Sequence, residues 1–221
     1  MTSSWKEIEN LHKGETGIVI GNGPSLRDVP LDFLKSYPSF GTNRIYLLDD
    51  FAPTYYAAVN PLVIEQSLEQ INLIDCSAKF IAEPFARLIE GAYILKSGSI
   101  PGFSREPYEW IYEGHTVTYV CLQLAYYMSF ETILLVGVDH RFDVNGAPNS
   151  EVVSEGPDIN HFHPDYFGKG VRWHLPDLYR SGLSYRMANA VFKKAGCKIV
   201  NLTPDSDLHI FEKGTIDEWR N

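Results

Sequence analysis

The sequence predicts an α/β fold: a parallel sheet flanked by helices, in a single domain with an irregular lid. Three observations point there. Short apolar runs alternate with stretches of helical spacing, the order that builds strand, crossover and strand units. Residues 17–20 and 132–138 are apolar or β-branched on consecutive positions, as strands covered on both faces are. Strand after strand then stops at Gly, Asn, Pro or Asp, and in open α/β sheets ligands bind outside the carboxyl ends of the strands.

Taken in order, Trp5, Ile8 and Leu11 have helical spacing over residues 5–12, and Gly14 ends that helix. Residues 17–20 are the first strand and run into Gly21-Asn22-Gly23-Pro24-Ser25. A helical turn over 31–36 precedes a strand over 39–46 that carries Asn43 and Arg44. Residues 53–61 repeat the pattern, closing on Asn60-Pro61 before a helix over 62–71. Strands follow at 79–82 and 92–95, a loop at 97–102 and a helix at 116–127. The strand over 131–139 leaves Asp139, His140 and Arg141 at its exit. From 142 to about 178 periodicity gives way to Gly, Pro, Asn and His, and a segment this long without regular structure reads as a lid or a site. Four of the seven histidines, His140, His161, His163 and His174, lie between 140 and 174. A helix over 178–194, a strand over 198–201 and a loop over 202–208 complete the domain, which takes in residues 1–221.

The first turn organises the rest. Gly21 and Gly23 lack Cβ, so backbone there can turn tightly and let a ligand approach its N–H groups. Asn22 both donates and accepts. Pro24 suits the first helical position, and Ser25 stands where a helix dipole favours an anion, so a nucleotide phosphate or ribose is the expected guest. The same residues also make a plain strand-to-helix turn. There is no third glycine and no Gly-Lys-Ser/Thr, which disfavours ordinary dinucleotide and P-loop binding. Asn22, Asn43 and Asn60 all follow strands, so they are expected to converge on one crevice and read base edges and ribose hydroxyls.

Composition narrows the partners. A formal charge of −9 and a pI near 5.2, with no Lys/Arg cluster, disfavour nucleic acid. The longest apolar stretch, 133–138, is too short to span a bilayer, and the N-terminus from Met1 to Trp5 lacks a signal-peptide pattern, so a cytoplasmic protein without an integral membrane segment is expected. Cys76, Cys121 and Cys197 are odd in number and widely spaced, and read as core residues. The 13 tyrosines exceed what a core needs and suit a site that grips sugars or nucleotides.

Gly21-Asn22-Gly23-Pro24-Ser25-Leu26, Thr42-Asn43-Arg44, Asn60-Pro61, Gly137-Val138-Asp139 and the terminal Thr203-Pro204-Asp205-Ser206-Asp207-Leu208 together resemble one superfamily. It joins bacterial lipooligosaccharide sialyltransferases, motility-associated flagellin glycosyltransferases and hydroxymethylpterin diphosphokinase-like proteins, and the likeness spans about residues 17–210. The sialyltransferase branch implies a Rossmann-like domain with a lid and a CMP-activated donor, with inversion at the anomeric centre and no cofactor or metal required. It implies nucleotide contacts from Gly21, Asn22, Gly23, Ser25, Asn43, Asn60, Thr116, Thr118 and Asp139. It implies a lid histidine as general base, for which His161 and His163 both stand, and phosphate contacts from Arg141 and Tyr166. The partners are then a nucleotide-sugar donor, most simply of a keto-sugar acid, and a surface-glycan acceptor, with a homo-oligomer or a membrane-assembly partner as further expectations.

Two other readings stay open. A pterin-type diphosphokinase would use ATP and Mg²⁺, with Asp139, His161, His163 and Asp165 as ligands, although magnesium prefers oxygen over imidazole. Asp139 also reads as a structural carboxylate that caps backbone donors. A non-catalytic nucleotide-sugar-binding module is the third reading.

Overall fold

The computed structural model describes residues 4–220; residues 1–3, the start of the N-terminus read above, and Asn221 lie outside the described residues. Eight strands form one sheet: β1 (Thr16–Ile20), β2 (Ser39–Thr42), β3 (Tyr55–Ala58), β4 (Ala78–Ala82), β5 (Tyr93–Leu95), β8 (Thr132–Val136), β11 (Lys198–Asn201) and β12 (Glu212–Lys213). Their spatial order is β12-β11-β8-β1-β2-β3-β4-β5, and every neighbouring pair is parallel. The chain builds outward from β1 to β5, then crosses back to the other side of β1 and builds outward again. The β1–β8 boundary is therefore the topological switch point, where a crevice opens.

The consecutive apolar runs are covered on both faces, as expected. Val19, Ile133 and Leu135 pack with Leu122, Leu124 and Phe192 of α5 (Val117–Tyr127) and α6 (Leu178–Lys194). Ile18, Ile20, Leu134 and Val136 face the other way, against Phe33, Val63 and Ile64 of α2 (Leu31–Lys35) and α3 (Pro61–Leu73). All seven of these strand residues are fully buried, and each such side chain contributes about 1.5–3 kcal/mol by leaving water.

Several boundaries differ from the sequence reading. The first helix is α1 (Trp5–Ile8), shorter than the spacing suggests. The second strand stops at Thr42, because Asn43 takes a left-handed φ of 50° and Ile45–Leu47 closes into a 3-10 turn. Residues 97–102 are not all loop, since β6 (Ser97–Gly98) pairs with β7 (Ile111–Tyr112). The lid contains an antiparallel ribbon of β9 (Glu151–Val153) and β10 (Arg172–His174), too short for a two-residue period to register. Between its strands, Phe162, Tyr166 and Phe167 fold inward and join the apolar layer that covers α2 and α3.

Candidate functional site

A cleft of about 450 Å³ lies at the carboxyl ends of β1, β2, β3 and β8, roofed by the lid. It brings together most of the residues picked from the sequence. Gly21, Asn22 and Gly23 come from the first turn, Asn43 and Asn60 from the exits of β2 and β3, Thr116 and Thr118 from the start of α5, Asp139 and Arg141 from beyond β8, and His161 and Tyr166 from the lid. Ser25 and His163 do not line it.

The glycines of the first turn answer to protein rather than to ligand. A Cβ on Gly21 would lie 2.3 Å from the Gly137 carbonyl oxygen, and one on Gly23 would lie 2.0 Å from Asp139 Oδ2. Their N–H groups donate to the carbonyls of Val136 and Gly137 at 2.8 and 2.9 Å, continuing the β1–β8 ladder past the strand ends. The expectation that these N–H groups meet a ligand is thereby corrected. Ser25 is corrected too: its hydroxyl donates to Asp139 Oδ2 at 2.7 Å and its N–H to Oδ1 at 3.3 Å. The following helix is only the 3-10 segment Pro24–Asp28, and the anion at its start is the protein's own carboxylate. Asp139 thus does the backbone capping that was one of its three sequence readings.

The asparagines do converge. Asn22 is buried, and its Nδ2 donates to the Thr42 carbonyl at 3.2 Å and to Thr42 Oγ1 at 2.8 Å. Its Oδ1 has no protein partner, and neither has the buried Oδ1 of Asn43. Both residues line the cleft while these two oxygens are themselves buried, and unmatched buried acceptors beside a cleft suit a ligand rich in hydroxyl or amino donors. Asn60 differs, because its Oδ1 accepts the Leu62 N–H at 3.0 Å and caps α3.

The lid supplies a histidine–carboxylate pair that the sequence reading missed. His161 is buried, and its Nδ1 donates to Asp158 Oδ2 at 2.7 Å. A carboxylate only accepts, so the pair leaves the Nε2 lone pair of the neutral ring as the basic site. Burial alone would raise the Asp158 pKa, but the hydrogen bond and charge of His161, with N–H groups from Asn160 and Phe167, outweigh it and hold the carboxyl below its ordinary value. The His161 ring stacks on Tyr166 at 4.0 Å with 6° between planes. Tyr166 is buried, its phenol is pushed well above the usual range by desolvation, and its hydroxyl accepts from the Arg44 N–H at 3.5 Å. It reaches the cleft as a ring face under His161. His163 points elsewhere, its Nδ1 accepting the Asp165 N–H at 3.1 Å. Geometry thus separates the two histidines that His-Phe-His left open.

Arg141 is exposed at the rim and gripped by Asp207, at 2.9 Å from Nε and 3.0 Å from Nη2. Thr116 sits at the N-cap of α5 without a side-chain cap bond, and its hydroxyl is 3.5 Å from that of Tyr185. His140, unassigned from the sequence, lines the same wall edge-on to Tyr185, and burial lowers its pKa despite the nearby Asp207. A left-handed φ of 54° places it there, which no periodicity signals.

The cleft carboxylates are all engaged by protein donors: Glu113 by Ser97 and Ser99, Asp139 by Ser25, and Asp177 by Arg180 N–H and Asn149. Among the described residues no group of three His, Cys, Asp or Glu side chains is placed to hold a metal ion. Those residues do not fit a magnesium site built by the protein. Among them, too, no helix is long and apolar enough to cross a membrane.

Comparison with known proteins accords with this architecture. No curated protein matches the sequence. In structure the chain is similar to the MAf glycosyltransferase from Magnetospirillum magneticum AMB-1, with a TM-score of 0.59 at 14% identity, covering 98% of this chain and 38% of that one. It is also similar to the sialyltransferase CstII from Campylobacter jejuni, solved in complex with a substrate analogue, cytidine-5'-monophosphate, with a TM-score of 0.53 at 14% identity, covering 91% and 85% of the two chains. The chain thus spans well under half the length of the first, and at this identity both likenesses establish the fold. The family model described as 6-hydroxymethylpterin diphosphokinase MptE-like matches residues 1–145, about two thirds of the sequence and all of the first-turn, Asn43, Asn60 and Asp139 machinery. The chain belongs to the MptE-like family.

Proposed function

We propose that this protein is a glycosyltransferase that takes a sugar from a nucleotide-activated donor, a CMP-activated keto-sugar acid being the first to test, and passes it to a hydroxyl of a surface-glycan acceptor in the cytoplasm. The observation that carries the reading is that His161, paired with Asp158, lines the same cleft as Asn22 and Asn43, whose buried amide oxygens are unmatched. In this reaction Nε2 of His161 takes the proton of the acceptor hydroxyl while its oxygen bonds to the anomeric carbon from the face opposite the leaving group. The bond from that carbon to the phosphate oxygen breaks, CMP departs and the configuration inverts. Asp158 holds the ring in one tautomer and stabilises the imidazolium that forms. No metal or cofactor is required for these steps. The lid, residues 142–178, keeps water from the donor. Arg141 reaches the departing phosphate by leaving Asp207, and Thr116 and Thr118 contact the donor at the start of α5.

The test is a thermal-shift panel of CMP, CDP, CMP-sialic acid, UDP, GDP and ATP, each with Mg²⁺ and with EDTA, followed by transfer assays on whichever donor stabilises the protein. Stabilisation by cytidine nucleotides in EDTA is the expected result. The match of residues 1–145 to the MptE-like family favours a second reading, pyrophosphate transfer from ATP to a pterin alcohol. Stabilisation by ATP only with Mg²⁺ would put that reading first. Tight binding without turnover, unaffected by loss of His161, would mark a binding module.

A further inference from the structure

The lid histidine is fastened to the first turn by a residue that belongs to neither. Arg27 lies in the 3-10 segment just after the first turn, and its guanidinium forks over the lid backbone. Nε donates to the Phe162 carbonyl and Nη2 to the His161 carbonyl, each at 2.8 Å. The Phe162 N–H in turn donates to the Asn22 carbonyl at 3.0 Å. Three hydrogen bonds therefore fix the backbone of His161 and Phe162 against residues 22–27, the stretch whose Asn22 lines the cleft. Asp158 sets the tautomer and rotation of the ring, but nothing in that pair fixes where the ring stands relative to a bound nucleotide. The guanidinium does, through a planar fork that matches two successive carbonyls.

We infer that Arg27 is a positioning residue for the reaction proposed above: it holds the His161 base at a fixed height over the nucleotide turn without touching either substrate. This rests on the reading of His161 as the base. Lysine at this position keeps the charge but offers a compact ammonium on a flexible stem in place of a rigid fork, so it cannot hold the two carbonyls in the same fixed geometry. Charge alone is thereby separated from geometry.

The test compares wild type with Arg27→Lys and Arg27→Ala on three readouts: the dissociation constant for CMP, amide hydrogen exchange at residues 161–163, and the kcat and KM of transfer. Expected in both variants are a CMP affinity within twofold of wild type, exchange of the Phe162 amide at least tenfold faster, and a kcat about 10–100-fold lower with donor KM little changed, the scale of loss for a misplaced catalytic group. Exchange and kcat both within twofold of wild type would overturn the inference. So would a loss of CMP affinity in step with kcat, since that makes Arg27 a support of the turn itself. The exchange readout needs no turnover. If Arg27→Ala speeds exchange while wild type transfers no sugar, the fastening stands and the glycosyl-transfer reading fails.

Discussion

The Asn22 amide is locked by Thr42, which accepts from Nδ2 through both its carbonyl and its hydroxyl, the latter in turn donating to the Ile20 carbonyl at 3.3 Å. A carbonyl cannot donate, so this lock also decides that the amide oxygen is the end left unmatched. Replacing Asn22 with Ala removes one acceptor and should weaken nucleotide binding about 5–30-fold, by the roughly 1–2 kcal/mol that one hydrogen bond of this kind carries. Replacing it with Asp, of the same shape, sets a carboxylate oxygen against the Thr42 carbonyl and should both abolish binding and lower stability. Calorimetric titration with CMP beside thermal melts reads both effects; normal affinity in the Ala variant would remove Asn22 from the site.

His161→Gln should leave CMP affinity within twofold of wild type and reduce kcat about 10²–10⁴-fold, the usual worth of a positioned general base. His163→Gln should change neither by more than about twofold, a bound set by surface substitutions that touch no special feature. Transfer assays on the two single variants distinguish them directly.

Asp158 makes a pH prediction with a definite sign. Its folded pKa is lowered, so the stability it contributes is complete above its unfolded value near 3.9 and is lost as pH falls through the still lower folded value. Asp158→Asn should therefore flatten the acid limb of a melting-temperature profile below about pH 4 while lowering kcat at neutral pH. An unchanged acid limb would mean that the carboxylate is not engaged as described.

Gly21→Ala should destabilise the fold by about 1–3 kcal/mol, the cost of forcing atoms into a packed site, since its Cβ would meet the backbone of Gly137, which has no rotamer to change. Chemical denaturation measures it. A neutral result would show that the two strand exits yield more readily than their packing suggests.

Asp207→Asn should loosen Arg141, which the Asp205 carbonyl still holds at 2.7 Å, toward a ligand phosphate. Exposed ion pairs contribute little, so CMP should bind no more than about fivefold tighter, and the gain should shrink in high salt. The pair is exposed on both sides. Weaker binding in the variant would place Asp207, rather than Arg141, on the ligand.

Most of the sheet was legible because its strands carry their burial in consecutive apolar residues; β11 and α6 fall at the bounds their patterns suggest. The convergence of Asn22, Asn43 and Asn60 was legible for a topological reason, since successive parallel strands deliver their exits to one edge. What the sequence concealed was where each polar atom is already engaged. Ser25 has the right hydroxyl at a helix start, yet Asp139, 114 residues along the chain, takes it. Asp158 is three residues before His161, a spacing common in loops, and only the fold of the lid turns that spacing into a 2.7 Å pair. Arg27 looks like an ordinary surface charge, and stays exposed, so only its bonds to the His161 and Phe162 carbonyls reveal its place. Short elements held by pairing alone, such as β9, β10 and β12, leave too few residues to show a period.

The central strand has neighbours of very different ancestry along the chain. β1 pairs with β2, which begins fewer than twenty residues after it ends, and with β8, more than a hundred residues later. On the ribosome the first pairing can form early, while the other edge of β1, with its unsatisfied N–H and carbonyl groups, waits until residues 132–136 emerge. Non-local parallel pairing of this kind slows folding and leaves a sticky edge exposed in the meantime. Recovery of this protein in soluble form should thus hinge on translation speed and chaperone supply, and the junction at Gly21 and Gly137 closes only once residues 132–136 have emerged, before β11 and β12 extend the sheet beyond β8.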